Sequence, residues 1–342
     1  MGSLNVTNGT LDQFSIILVL PPCEIFEITV GSVGVVGNSF VIMVMLGVKW
    51  LRRQNNNKFV VSLAFADLIA SVFIILRSLQ EILHFDSNLT WEVYCRVVHD
   101  TVLWVNFTAS VFNLVALTLE RYFAIVHPLK YFKLATPRRT AVVIATTWLL
   151  SIIPQLFTIT IDTYDEESES CVYQWPPSPW IRVFVGVLIV LSTYIIPLII
   201  MTWSYRKILR SLALSEKRTR TSHFSREFRT VVAKRKMAKM FIAICLAFAI
   251  CWGPNQCLFL AANCGYSLDY DGSAYKFSRG LVAVNSCINP FIYSCANKKF
   301  RAGVKVLLRC VNKVGNSWSS EPNDVECVVQ RRATWPKTSY RF

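Results

Sequence analysis

Histidine is scarce in this chain, with four residues in 342, and none stands in a His-x-x-Glu-His arrangement. No Ser/His/Asp grouping is evident either, so the sequence offers neither the ligand set of a metalloprotease nor a hydrolase triad. Charge is thin as well: 17% of residues, against about 25% in an average soluble domain. No internal repeat is visible, and no relay of charges runs through the apolar segments. Both lacks weigh against a transporter, which usually shows pseudo-symmetric repeats and broken helices at the midplane. Near the N-terminus Phe14–Leu20 is apolar but short and has no basic flank, so it does not read as a signal peptide. The first long apolar segment is expected to act as its own insertion signal.

What the chain has in abundance is apolar length. Hydrophobic residues make up 53% of it, and the mean hydropathy is +0.41. Seven windows stand out, at about Ile25–Val48, Phe59–Leu83, Val97–Ile125, Ala141–Ile161, Ile181–Tyr205, Met237–Ala262 and Phe277–Ala296. About 20 helical residues cross a ~30 Å hydrocarbon core, so the expected fold is an all-α membrane protein with a seven-transmembrane helix bundle. The third window organises the rest. Thr101–Leu119 carries no charge over nineteen positions, yet Asn106, Ser110 and Asn113 lie along one face. Polar groups at that depth place the helix inside a bundle rather than against lipid all round.

The net charge of +15 invites a nucleic-acid reading, but its distribution points elsewhere. Bases crowd alternate connections: Lys49, Arg52, Arg53 and Lys58; Lys130, Lys133, Arg138 and Arg139; and the stretch from Arg206 to Lys239. The other connections are acidic, with Asp86 and Glu92, then Asp162, Asp165, Glu166, Glu167 and Glu169, then Asp269 and Asp271. With seven spans this asymmetry puts the N-terminus outside and the C-terminus in the cytosol, as in a multi-pass plasma-membrane protein with no nucleic-acid partner. The expected layout is an extracellular segment over 1–24, the helix bundle over 25–297, an amphipathic eighth helix over 298–310 and a cytosolic tail over 311–342.

Sequons agree with that sidedness. Asn5, Asn8 and Asn88 fall outside and are expected glycosylation sites, whereas Asn106 matches the pattern in mid-membrane, where it cannot be reached. Of eleven cysteines, Cys95 and Cys171 face the oxidising side and are expected to form a disulfide. Cys23 and Cys264 are also expected outside and could pair. Cys245, Cys251, Cys257, Cys287 and Cys295 lie within spans and read as packing residues. Cys310 follows the basic amphipathic stretch Lys298–Arg309, a position suited to palmitoylation or to a free thiol.

Several motifs now fall into order: Gly37-Asn38 in the first span, Leu63-Ala-Phe-Ala-Asp67 in the second, Glu120-Arg121-Tyr122 in the third and Trp148 in the fourth. Pro197 and Tyr205 follow in the fifth, Cys251-Trp252-Gly253-Pro254 in the sixth and Asn289-Pro290-Phe291-Ile292-Tyr293 in the seventh, with Phe300 beyond it. In these the chain resembles a rhodopsin-like (class A) G-protein-coupled receptor, most closely the neuropeptide-receptor branch, from Ile25 to Cys310. The resemblance implies a receptor, not an enzyme, with a heterotrimeric G protein and an arrestin-like protein as cytosolic partners. Membrane lipid is a further expected partner.

The resemblance also assigns roles. Asp67 is a lone carboxylate deep in the second span, costly unless solvated or paired. With Asn106, Ser110, Asn285 and Asn289 it is expected to hold Na⁺ as an allosteric ion, or else a water network; no other cofactor is implied. Glu120, Arg121, Tyr122, Tyr205, Phe248, Trp252, Pro254, Asn289, Pro290 and Tyr293 are the expected activation switch. The prolines free carbonyls and permit hinges. Hydroxyls at Ser317, Ser319, Ser320, Thr334, Thr338 and Ser339 would recruit arrestin once phosphorylated.

The chain departs from relatives at four places. Lys234 stands where some relatives carry an acid that locks the arginine of the third span. Leu103 replaces the aspartate of amine receptors, and Ala283 the lysine of opsins. Cys95 lies one residue farther from Arg121 than usual, so the outer turn of the third helix is expected to be offset or bulged around Asp100. Helical phase gathers Asp100, Leu103, Trp104 and Phe107 on one wall of an outer pocket and Phe248, Trp252, Asn255, Gln256 and Phe259 on another. Arg77 and Arg279 near the outer ends are expected pocket bases, or else a partner for Glu81 and a snorkelling side chain. The acidic second outer loop and the polar Asn255-Gln256 favour an extracellular peptide ligand. The two arginines favour an acidic small molecule or lipid mediator, and a transporter is the distant alternative.

Overall fold

The structure, a computed structural model, describes residues 20–80, 87–167, 170–220 and 225–316, with side chains throughout except at 218–220, 225–241, 296 and 310–316. Asn5, Asn8, Glu81, Glu169 and the tail hydroxyls from Ser317 onward lie outside the described residues. So do the side chains of Lys234 and Cys310.

Eight long helical elements follow one another. Helix α1 spans Pro22–Gly47, and its opening proline suits a first turn whose N–H groups have no helical acceptor. Helix α2 spans Asn55–Ser78 and α3 Thr101–Val126. Helix α4, Pro137–Ile152, is capped by Thr136, whose hydroxyl accepts from Arg139 N at 3.3 Å, and a 3₁₀ turn at Ile153–Gln155 leads into Leu156–Ile161. That tightening falls at Pro154, which has no N–H for the helical ladder. Helix α5 runs as Pro179–Val190, a π-helical turn Leu191–Ile195 and Ile196–Arg220, the wide turn lying just before Pro197. Helix α6 spans Ser225–Asn263 around Pro254, α7 spans Ser273–Ala296 around Pro290, and α8 spans Lys298–Asn316. The eighth helix thus runs six residues past its expected end at Cys310.

Six of these elements are apolar and long enough to cross a membrane. Of the remaining two, α8 is the amphipathic one, and α7 has the length (24 residues) but carries Lys276, Arg279, Asn285 and Asn289, all buried in the bundle. Its polarity faces inward, which lowers its hydropathy without exposing charge to lipid. In the ring of helices α1 packs on α2 and α7, α2 on α3, α5 on α6 and α6 on α7, while α3 touches α2, α4, α5 and α7. Gly34 permits the α1–α2 approach: a Cβ there would sit 2.2 Å from Ser71 Oγ. Asn38 ties α1 to α7 by donating to Ser286 O at 3.3 Å, and Trp148 ties α4 to α2 by donating to Ser62 Oγ at 3.0 Å. Large apolar side chains such as Val36, Leu149, Phe184 and Ile250 point outward, as a lipid-facing belt requires.

The second outer loop folds as a hairpin, β1 (Asp162–Asp165) against β2 (Ser170–Tyr173), with Tyr164 opposite Cys171. The Cys95–Cys171 disulfide, Cα–Cα 5.4 Å, ties this hairpin to the approach to α3. That approach is a short helix, Asn88–Val93, followed by a π-helical turn at Tyr94–His99. The extra residue between Cys95 and Arg121 is absorbed there as the wide turn, and Asp100 (φ −124°) separates it from α3.

Some cysteine expectations fail. Cys23 and Cys264 are both free, and Cys23 instead donates to Ser273 O at 3.5 Å. Cys245, Cys251 and Cys287 are buried, but Cys257 and Cys295 are exposed, so those two do not pack the bundle. Asn88 is exposed at the start of its short helix, where its amide donates to Glu166 Oε1 at 2.7 Å.

Candidate ligand site and the path beneath it

A cavity of about 630 Å³, mouth included, opens between α3, α5, α6, the Ile153–Ile161 segment that follows α4, the first turn of α7 at Tyr275, and the hairpin. Its floor is Trp252 of α6 with Trp104 of α3, rings at 6.4 Å in edge-on contact. Asn255, Gln256 and Phe259 form the α6 wall and Thr193 and Ile189 the α5 wall, while Tyr173, Trp175 and Tyr270 roof it. Eight of its seventeen lining residues are aromatic, which suits a ligand with bulky apolar side chains. Orientation comes from a chain of amides. Asn255 donates to Ser278 Oγ at 3.1 Å, Gln256 to Asn255 Oδ1 at 3.4 Å, and Thr193 to Gln256 Oε1 at 3.4 Å.

Asp100, Trp104, Trp252, Asn255, Gln256 and Phe259 therefore line one cavity. Leu103, Phe107, Phe248, Arg77 and Arg279 do not. Leu103 and Phe107 are buried in the packing core, because the wide turn before α3 rotates its outer face; Phe107 braces Trp252 from beneath, ring centroids 6.4 Å apart. Arg77 Nε meets Asp100 Oδ1 at 3.3 Å and its Nη2 meets Asp271 Oδ1 at 3.1 Å, while Tyr173 also donates to Asp100. Arg279 forks onto Glu27, Nε–Oε1 2.9 Å and Nη2–Oε2 3.0 Å, and Ser78 adds a 2.7 Å bond to the same carboxylate. Lys276 Nζ reaches Glu24 Oε1 at 2.6 Å. A buried cation must be paired, so these bases are spent on the bundle.

Local sequence does not single out Glu24 and Glu27 as partners of these bases. A usable signal existed: two acids three apart open α1, and two bases three apart, Lys276 and Arg279, open α7. His99 and Asp162 form one more buried pair, Nδ1–Oδ2 3.0 Å; burial pushes the Asp162 carboxyl up, and the imidazole beside it partly offsets that.

Deeper, Asp67 is fully buried and accepts from Asn289 Nδ2 at 2.9 Å. Ser110 and Ser286 face the same carboxylate, and Ser286 was missed at the sequence level. Asp67 Oδ1, Ser110 Oγ, Asn106 Oδ1, Asn285 Oδ1 and Asn289 Oδ1 are all buried without a hydrogen-bond partner. Buried orphan oxygens call for water or a hard cation. Asn106 contributes less directly, since its amide nitrogen turns back to Val102 O at 2.8 Å.

Below the cavity floor Trp252 meets Phe248 at 5.6 Å, and Phe248 meets Tyr194 at 5.6 Å. Tyr194 belongs to the π-helical turn of α5 and donates to Ala249 O at 3.0 Å. At the end of the bundle opposite the cavity Arg121 Nε lies 3.3 Å from Glu120 Oε2. Tyr131, on the short helix Pro128–Leu134, donates to Glu120. Burial and the adjacent carboxylate push its phenol above the ordinary range, so it stays a donor. Tyr205 shares a 2.7 Å hydrogen bond with Thr118, Tyr122 one of 3.1 Å with His127, and Tyr293 OH is buried without a partner. Neither Tyr131 nor Thr118 was expected; both need the fold to bring them to the motif.

A ring of membrane-spanning helices with an outer cavity, an aromatic column beneath it and an arginine latch at the inner face is the architecture of a seven-helix membrane receptor. Residues 37–293 match the family model described as 7 transmembrane receptor (rhodopsin family). The chain belongs to that family and is a multi-pass membrane protein. It is 30% identical to galanin receptor 2a of Danio rerio over 83% of this chain and 77% of the relative. It is 32% identical to the neuromedin-K receptor of Homo sapiens over 81% and 59%. With the allatostatin-A receptor of Bombyx mori it shares 27% identity over 94% and 89%. The chain thus spans less than two thirds of the neuromedin-K receptor's length.

Proposed function

We propose that this protein is a cell-surface receptor, N-terminus outside, that binds an extracellular peptide and activates a heterotrimeric G protein. The observation that carries the reading is the roofed cavity: aromatic walls, a chain of amides, and a floor residue, Trp252, that continues into the column toward the inner face. Peptide side chains supply apolar bulk for such walls, and peptide amides match the Asn255–Gln256 donors and acceptors. The relatives' names, which include galanin and neuromedin-K receptors, support the same ligand class. The acidic small-molecule reading loses its basis, since Arg77 and Arg279 are already neutralised by carboxylates.

Three further roles belong to the proposal. Asp67, Asn289, Ser110 and Asn285 would hold Na⁺ in the resting receptor, for which their orphan oxygens are suited. Helix α8, with Lys298, Lys299, Arg301, Lys305 and Arg309, would lie on the inner lipid surface. The tail would meet an arrestin-like protein when phosphorylated. The test is GTPγS loading in membranes expressing the full chain, challenged with a peptide library. Stimulation by a peptide that leaves untransfected membranes unaffected is the expected result; no stimulation by any pool at verified surface expression would overturn it.

A further inference from the structure

In the outer half of the bundle the cations among the described residues can be matched with their acids almost completely. Arg77 has Asp100 and Asp271, Arg96 has Glu92, Lys276 has Glu24 and Arg279 has Glu27. Arg182 is the exception. It stands in the first turn of Pro179–Val190, and its guanidinium lies over the Trp175 ring at 4.9 Å. No described carboxylate makes an ion pair with it. The position is also electrostatically wrong for a base, because the N-terminal end of a helix is its positive pole.

The groups around Arg182 are donors in the same condition. Arg182 Nε and Trp175 Nε1 are buried without a hydrogen-bond partner, and the buried Tyr270 hydroxyl meets the Arg182 guanidinium, another donor, rather than an acceptor for its own proton. Trp175 and Tyr270 line the cavity roof, and the Tyr270 hydroxyl sits beside the Arg182 guanidinium. Arg182 Nε, Trp175 Nε1 and the Tyr270 O–H thus stand as neighbouring donors beside the mouth, with no described carboxylate or carbonyl matched to them. Leaving buried donors unmade costs stability, so their persistence implies that something outside the fold satisfies them.

We propose that Arg182, Trp175 and Tyr270 form a carboxylate subsite at the cavity mouth, and that the ligand presents an anionic carboxylate to it; this rests on the peptide-receptor reading above. A guanidinium presents parallel N–H groups that fit the two oxygens of a carboxylate, and the neutral donors complete the shell without further charge. In a peptide the carboxylate has two sources, a free C-terminus or an Asp or Glu side chain.

The probes are synthetic octapeptide pools prepared in matched forms: free-acid and amidated at the C-terminus, and with Asp/Glu retained or replaced by Asn/Gln. They are applied to membranes expressing the full chain, with GTPγS loading as readout. For an active sequence, neutralising one carboxylate is expected to lower potency about tenfold or more on the wild type, as for loss of a charge-assisted hydrogen bond. On Arg182→Gln at equal surface expression the acidic and neutral forms should be equipotent. The arm that loses its effect identifies the terminus or the side chain. Should Arg182→Gln fail to reach the surface, Tyr270→Phe removes one donor only, and the acid-over-neutral preference should shrink on it. Equal potency of acidic and neutral forms on the wild type, or an undiminished preference in the variant, overturns the subsite while leaving the receptor reading standing. No loading by any pool on the wild type overturns both.

Discussion

Glu27 and Arg279 are respectively 0% and 1% exposed and joined by two hydrogen bonds of 2.9 and 3.0 Å. Removing the carboxylate in Glu27→Leu would strand a guanidinium among α1, α2 and α7, with the Arg77–Asp100 pair as its remaining charged neighbours and no hydrogen-bonded carboxylate. Breaking a buried pair from one side costs about 3–5 kcal/mol, because the surviving charge keeps its desolvation penalty. At roughly 2–4 °C per kcal/mol for a chain of this order, Tm should fall by about 6–20 °C. The assay is built into the molecule. Cys245, Cys251 and Cys287 are buried free thiols, so a thiol-reactive dye reports unfolding of the detergent-solubilised receptor. Glu27→Leu with Arg279→Met removes both charges and should recover most of the loss, since an apolar pair of similar volume often replaces a buried ion pair at little cost. Two results would refute the reasoning. Glu27→Leu could melt within 2 °C of wild type, about the shift of a 1 kcal/mol change, or the double variant could lose the sum of both single losses. Either would mean that the cation is solvated and available, and Arg279 would return as a ligand contact.

Three other outcomes follow from the same geometry. If Asp67 and its orphan oxygens hold Na⁺ only in the resting state, Na⁺ should weaken agonist binding to the wild type and leave Asp67→Asn indifferent; equal sensitivity in both counts against the site. Cys95→Ala frees the hairpin that roofs the cavity, so surface expression or ligand binding should drop; full expression and binding in that variant would remove the hairpin from the site. Tyr131→Phe deletes the donor on Glu120, worth about 1 kcal/mol, so basal GTPγS loading should rise ~5-fold at equal expression. Unchanged basal loading would show that the contact does not hold the latch.

The helices were legible because their signal is length and apolarity, which survive without knowledge of neighbours. Even α7, the least apolar, could be placed by Asn289-Pro290 and its distance from α6. The one-residue excess after Cys95 announced the π-helical turn at Tyr94–His99, since a fixed disulfide at one end and a fixed arginine at the other leave the helix to absorb it. The pocket was half legible. Trp104, Trp252, Asn255, Gln256 and Phe259 follow from helical phase, but phase cannot tell whether a base near a helix end faces a cavity or a carboxylate on another helix. Arg77 finds Asp271 194 residues away and Arg279 finds Glu27 252 residues away, pairings that local spacing does not carry. For the same reason Tyr131, eleven residues past Glu120 and beyond the end of α3, escaped notice.

The placement of charge decides which helices a ligand can move. Ion pairs seal the outer ends of α1, α2 and α7 against one another, so a ligand cannot enter there without stranding a buried charge. The open side is walled mainly by α3, α5, α6 and the segment after α4, with Tyr275 of α7 at its edge, and the residues that α6 turns to it, Asn255 and Gln256, directly follow Pro254. A proline frees the carbonyl four residues earlier, here that of Ile250, and weakens the ladder at that turn. Pressure on Trp252 and the amides is therefore applied across the most pliable turn of α6, and Phe248 and Tyr194 carry it to the wide turn of α5. The rigid half of the bundle serves as the frame against which α6 moves. A ligand that fills the cavity without touching Trp252, Asn255 or Gln256 should accordingly bind and block without signalling.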